Sequence, residues 1–60
     1  MTRPPTQQRT ILLVEDNESI RRAFTMLLEE SGYHVAEAKT GAEALAATDA
    51  DPPDLMILDL

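Results

Sequence analysis

The chain contains no cysteine, which excludes a disulfide framework and any zinc site built on thiolates. That agrees with a reducing, cytosolic setting. No stretch approaches the ~18 consecutive apolar residues of a membrane span. The leading segment, residues 1–9, carries Pro4, Pro5, two Gln and two Arg without an apolar core. It is therefore not a secretory signal and reads as a flexible leader. Positive charge is scarce as well: five Lys and Arg stand against eleven Asp and Glu, for a formal charge of −6. Such a field repels a phosphate backbone and argues against nucleic-acid binding by this segment.

What is present is an ordinary globular composition, 43% hydrophobic, too apolar for a disordered tail. A chain of 60 residues makes at most one small domain, which buries only about 60% of its unfolded surface. The organising stretch is Ile11-Leu12-Leu13-Val14-Glu15-Asp16-Asn17, a short apolar run that ends in two carboxylates and an Asn. A wholly apolar run of this length predicts a strand buried on both faces, as in a parallel sheet covered by helices. Ligands of open parallel sheets bind at the C-terminal ends of the strands, which is where these carboxylates fall.

Asn17 is a good helix N-cap, and Glu18 sits in the first turn, where the helix dipole favours an anion. Ile20, Phe24, Leu27 and Leu28 then recur at helical spacing, with Ala23 beside them, predicting a helix of roughly 14 residues with this stripe inward. Arg21, Arg22, Glu29 and Glu30 lie off the stripe and read as a solvated face. Gly32 supplies a left-handed stop. Tyr33 to Ala38 is a second, less apolar strand suited to a sheet edge. Thr40 and Glu43 match a capping box for an Ala-rich helix from about Gly41 to Thr48, with Ala44 and Leu45 inward. Asp51-Pro52-Pro53-Asp54 is a turn, and Leu55-Met56-Ile57-Leu58 is another wholly apolar strand that runs into Asp59. The order β-α-β-α-β with right-handed crossovers predicts an α/β parallel sheet flanked by helices.

The first and third strands each end in acid, Glu15-Asp16 and Asp59. If the two lie side by side, three carboxylates meet at one edge, and their mutual repulsion calls for a proton or a cation. Ligands that are all oxygen suit a hard divalent ion, Mg²⁺ better than Ca²⁺ where few protein ligands leave room for waters. A metal there would neutralise charge on a phosphoryl group attacked by a carboxylate. The plain alternative is that these acids are solvated caps on strand ends.

At these residues the chain resembles the receiver domain of bacterial two-component response regulators. The resemblance rests on Ile11 to Asn17, on Pro53 to Leu60, on the Gly32-Tyr33 step and on Thr40 to Leu45. The 43-position spacing of Asp16 and Asp59 is typical as well. It covers residues 10–60 and implies a doubly wound, flavodoxin-like parallel sheet of strand order 2-1-3-4-5, present here as its N-terminal portion, truncated to β-α-β-α-β and ending at the third strand. It also implies that Asp59 is the phosphoacceptor, taking a phosphoryl group from a phosphohistidine on a sensor histidine kinase or phosphotransfer protein. By the same resemblance Asp16 binds Mg²⁺ directly, Glu15 acts through a water or shapes the site, and Asp59 is a further ligand. The Ser/Thr and Lys that read the phosphoryl group in the family belong to later strands. The implied protein is a cytoplasmic phosphoprotein of phosphorelay signal transduction, assisting its own phosphotransfer and dephosphorylation, with room for an output domain beyond residue 60. Residues 1–60 alone are not expected to form a stable monomer, because the third strand leaves apolar surface and an open edge.

Two other functions fit the acids. One is a metal-dependent phosphohydrolase with an aspartyl nucleophile, although such enzymes often carry Asp-x-Asp after the first strand, where this chain has Glu15-Asp16-Asn17. The other is a receiver-like interaction module that is never phosphorylated. Among the remaining residues, His34 reads as a solvated edge histidine, Met26 and Met56 as core filler, and Lys39 as a surface lysine near the functional edge. Asp49, Asp51 and Asp54 read as turn chemistry at the opposite edge.

Overall fold

A computed structural model describes residues 8–58. Most of the expected leader, residues 1–7, and the expected phosphoacceptor Asp59 with Leu60 lie outside the described residues. The elements are β1 (Thr10–Val14), α1 (Glu18–Glu30), β2 (His34–Ala38), α2 (Gly41–Ala50) and β3 (Leu55–Leu58). All strand pairs are parallel, and the sheet order is β2-β1-β3. This is the β-α-β-α-β order and the parallel β2-β1-β3 arrangement expected of the N-terminal portion of a doubly wound, flavodoxin-like sheet.

The apolar run of β1 is central for the reason its composition suggests. Ile11, Leu12, Leu13 and Val14 are each 3% exposed or less, and alternate side chains of a strand point to opposite faces. Leu12 and Val14 pack with Ala36, Ala38, Ala44 and Ala47, the face covered by α2. Ile11 and Leu13 point to the other face, on which α1 lies. Small alanines at Ala36, Ala38, Ala44 and Ala47 let α2 come close to the sheet, so this half of the core is thin.

Local signals set the element boundaries. The Asn17 side chain accepts a hydrogen bond from the Ile20 amide at 3.0 Å, as an N-cap should. Thr40 Oγ1 accepts from the Glu43 amide at 3.1 Å. The Glu43 carboxylate reaches back to the Lys39 amide at 2.9 Å, one residue before the position a capping box would use. Gly32 ends α1 with φ of 95°, a conformation that costs an L-residue with a side chain but not glycine.

Several expectations about which side chains face inward fail, most of them because of where the helices lie over the sheet. Both helices pack over β1 and β2, and neither reaches β3. All four residues of β3 are consequently exposed, as expected of a third strand that leaves apolar surface uncovered; Met56, expected as core filler, is among them. The Ile20, Phe24 and Leu27 stripe of α1 is 43%, 50% and 59% exposed, because it flanks the sheet on the β3 side. The part of α1 that packs inward instead carries Arg21 and Thr25, both buried, and Leu28, half-buried. Met26 and Leu45 are exposed, so neither is core; Ala44 alone of the expected pair on α2 is buried. Smaller differences are a β1 that starts one residue earlier, at Thr10, and an α2 that continues to Ala50.

Candidate functional site

The site is built where the parallel strands finish. The register places Val14 beside Ala38 on one side and beside Leu58 on the other, so the three strands end at the same edge of the sheet. The Glu15 amide donates to the Ala38 carbonyl at 3.0 Å, extending the ladder with β2 by one step. Glu15 is thereby held against the sheet and is only 4% exposed. Its Oε1 lies 3.4 Å from the Asn17 amide, which donates to it. Asp16, the next residue, is exposed. The two adjacent acids thus differ sharply: one is embedded in the sheet edge, and the other projects into solvent.

A pocket of about 520 Å³ opens at this edge, lined by Val14, Glu15, Asp16, Lys39, Thr40, Gly41 and Leu58. Its floor is the C-terminal end of β1, and one wall is the capped start of α2. Two carboxylates and one ammonium share the pocket, which leaves it acidic. Glu15 and Asp16 are therefore brought together where the sequence placed them, and Lys39 does stand at the functional edge. Asp59 follows Leu58 in the chain and lies outside the described residues. His34 pairs with Thr10 at the opposite end of the sheet and is exposed, so it takes no part here.

The donor set suits a hard cation in kind, since it offers carboxylate oxygens without thiolate or imidazole. In number it falls short: among the described residues no group of three Asp, Glu, His or Cys is gathered closely enough to hold a metal ion. Glu15 and Asp16 supply two, and a third acid would have to come from outside the described residues.

One functional neighbour was not legible in the sequence. Arg21, read as solvated, is 6% exposed. Its Nη1 donates to the Glu15 carbonyl at 2.9 Å, and its Nε donates to Glu37 Oε1 at 2.8 Å. The available signal was Glu37: strand alternation places it on the same face as Leu13, its partner in the register, and an acid facing a helix calls for a cation on that helix. By contrast, the ion pair of Arg22 with Glu18 at 3.3 Å is exposed on both sides and contributes little.

Compared with known proteins, residues 11–60 match the family described as response regulator receiver domain. The chain is 44% identical over 52 residues to the alkaline phosphatase synthesis transcriptional regulatory protein PhoP of Bacillus subtilis, covering 87% of this chain and 22% of that protein. It is 42% identical over 53 residues to the CAI-1 autoinducer sensor kinase/phosphatase CqsS of Vibrio cholerae, covering 88% of this chain and 8% of that protein. It is 36% identical over 52 residues to the polar-differentiation response regulator DivK of Brucella ovis, covering 87% of this chain and 42% of that protein. The chain therefore spans less than half the length of each of these relatives. No solved structure gives a significant match.

Proposed function

Because the chain belongs to the response regulator receiver family, a family of signalling domains, we propose that Asp59 is its phosphoacceptor and that Glu15, Asp16 and Asp59 together hold Mg²⁺. The observation that carries this reading is the parallel pairing of Val14 with Leu58. It ends β1 and β3 at one sheet edge, with Glu15-Asp16 next in sequence after one strand and Asp59 next in sequence after the other. Nearby acids that repel one another are best relieved by a cation, and a hard ion that keeps several waters suits so few protein ligands.

In the proposed reaction a carboxylate oxygen of Asp59 attacks phosphorus of a phosphohistidine on a sensor histidine kinase or phosphotransfer protein. The new P–O bond forms as the P–N bond breaks, and the leaving imidazole keeps the electron pair and takes up a proton. The Mg²⁺, when bound, neutralises charge on the transferring phosphoryl oxygens. Glu15 and Asp16 would hold that ion for Asp59, so the domain would assist its own phosphorylation and also its own dephosphorylation, in which water attacks phosphorus and the P–O bond to the Asp59 carboxylate breaks. Phosphorylation then shifts the domain between two conformations, in the cytoplasm. The relatives bear names of different kinds, a transcriptional regulatory protein, a sensor kinase/phosphatase and a differentiation regulator. That variety supports an output set by the rest of the protein.

The test uses the full-length protein with a small-molecule phosphodonor, with and without Mg²⁺. The reading expects one phosphoryl group per chain, dependent on Mg²⁺, and no sustained turnover of phosphate esters. Continued multiple turnover would instead identify a phosphohydrolase, and no uptake at all would identify an interaction module.

A further inference from the structure

We propose that Arg21 is a positioning residue for the acid pair, its guanidinium clamping the β1–α1 turn from which Glu15 and Asp16 emerge. The inference rests on the reading of those acids as a magnesium site and deepens it.

The geometry is specific to Asp16. Its neighbours in the chain, Glu15 and Asn17, both have their carbonyls bound by residue 21. The Arg21 backbone amide donates to the Asn17 carbonyl at 2.9 Å, the first helical bond of α1, which any residue there would make; its Nη1, the contribution of the side chain, donates to the Glu15 carbonyl, also at 2.9 Å. The guanidinium thus holds the turn on the Glu15 side of the exposed carboxylate, and the start of α1 holds it on the Asn17 side. Glu15 is pinned further by its amide on Ala38 at 3.0 Å, which ties the same turn to β2. With its neighbours fixed, Asp16 has little left to move except its own side chain.

The guanidinium is itself held in place. Glu37 Oε1 accepts from Nε at 2.8 Å, which sets the plane of the fork, while Nη1 of the same plane points at the Glu15 carbonyl. Glu37 is anchored on β2 directly beside Leu13. The chain of contacts therefore runs from β2 through Glu37 and Arg21 to the turn. Because Glu37 offsets the positive charge, Arg21 acts through geometry more than through its field. A lysine could satisfy the charge, but a single ammonium lacks the rigid planar fork that serves both acceptors at once. Groups that orient metal ligands from behind commonly affect metal affinity by about 10–100-fold.

The test is a Mg²⁺ titration by calorimetry of the full-length protein and its variants, paired with initial phosphorylation rates from a small-molecule phosphodonor across Mg²⁺ concentrations. Arg21→Met is expected to weaken Mg²⁺ binding about tenfold, and Arg21→Lys to recover little of it. Glu37→Gln is expected to give a smaller loss in the same direction. In each, the Mg²⁺ concentration for half-maximal rate rises while the rate at saturating Mg²⁺ returns close to wild type, a split that general loss of folded protein does not produce. Wild-type Mg²⁺ affinity in folded Arg21→Met, or full rescue by Arg21→Lys, overturns the proposal. Should Arg21→Met not fold, Arg21→Lys and Glu37→Gln decide: wild-type affinity in both overturns it. Asp16→Asn separates the two levels of the argument. If it abolishes Mg²⁺ binding while the Arg21 variants leave it intact, only the role of Arg21 falls. If it binds Mg²⁺ like wild type, the metal site itself is wrong.

Discussion

Thr10 and Asp54 grip one another twice: the Thr10 amide donates to Asp54 Oδ2 at 2.7 Å, and the Asp54 amide donates to the Thr10 carbonyl at 2.9 Å. In a parallel ladder the backbone bonds are slanted and evenly spaced. Here the side chain closes a reciprocal pair with a single residue of β1, just ahead of the register that runs from Ile11 and Leu55 to Val14 and Leu58. Since no helix among the described residues packs on β3, this pair and the ladder hold the strand there. Asp54→Ala in the full-length protein is expected to cost about 1 kcal/mol, the usual net worth of a hydrogen bond, and Asp54→Asn to recover much of it through its carbonyl. Urea denaturation checks this; equal stability of wild type and Asp54→Ala would remove the pair from the account.

The inward side of α1 carries a second polar residue, Thr25, one turn after Arg21. Its Oγ1 is buried and has no hydrogen-bond partner. A buried hydroxyl without a partner costs free energy that an isosteric methyl does not. Thr25→Val should therefore stabilise the full-length protein, by about 1 kcal/mol, as a higher urea midpoint with unchanged slope. A lower midpoint would mean that the hydroxyl is satisfied.

Gly32 terminates α1 with φ of 95°, and a Cβ built there would meet nothing within 4 Å. The cost of a side chain is therefore conformational alone. Gly32→Ala is expected to lower stability by about 1 kcal/mol, and Gly32→Asn by less, because Asn tolerates the left-handed region better. Equal losses for the two, measured by thermal unfolding, would point to a steric cause instead.

Exposure of Leu55, Met56, Ile57 and Leu58 on a strand with one unpaired edge among the described residues predicts the behaviour of residues 1–60 prepared alone. Such a surface favours association. The 60-residue chain should elute above monomer size and lack a cooperative thermal transition. A monomeric sample with a sharp transition would show that the described core suffices.

The parts of this molecule that could be read in advance are local ones. Asn17, Thr40, Glu43 and Gly32 act on backbone groups within a few residues, and the alternation of apolar runs with capped helices gives the topology directly. Arg21 was misread because burial on α1 is decided by where the helix axis lies over the sheet. The helix sits above β1 and β2, so its apolar stripe at Ile20, Phe24 and Leu27 flanks the β3 side and an arginine turns inward. The exposed apolar surface of β3 was legible from the element order, since the two crossover helices lie over β1 and β2 and leave the last strand uncovered. At the site, Glu15 and Asp16 were legible because they interrupt an apolar run. The unequal burial of the two acids was not, because it depends on the Ala38 carbonyl and the Arg21 fork.

The central claim is that Asp59 receives the phosphoryl group at the edge where Glu15 and Asp16 emerge. The most direct measurement is the intact mass of the full-length protein after incubation with a small-molecule phosphodonor and Mg²⁺, set beside the Asp59→Asn variant. The account predicts a single phosphoryl adduct in the wild type and none in Asp59→Asn. An adduct of equal yield in Asp59→Asn, or none in either protein, would contradict it.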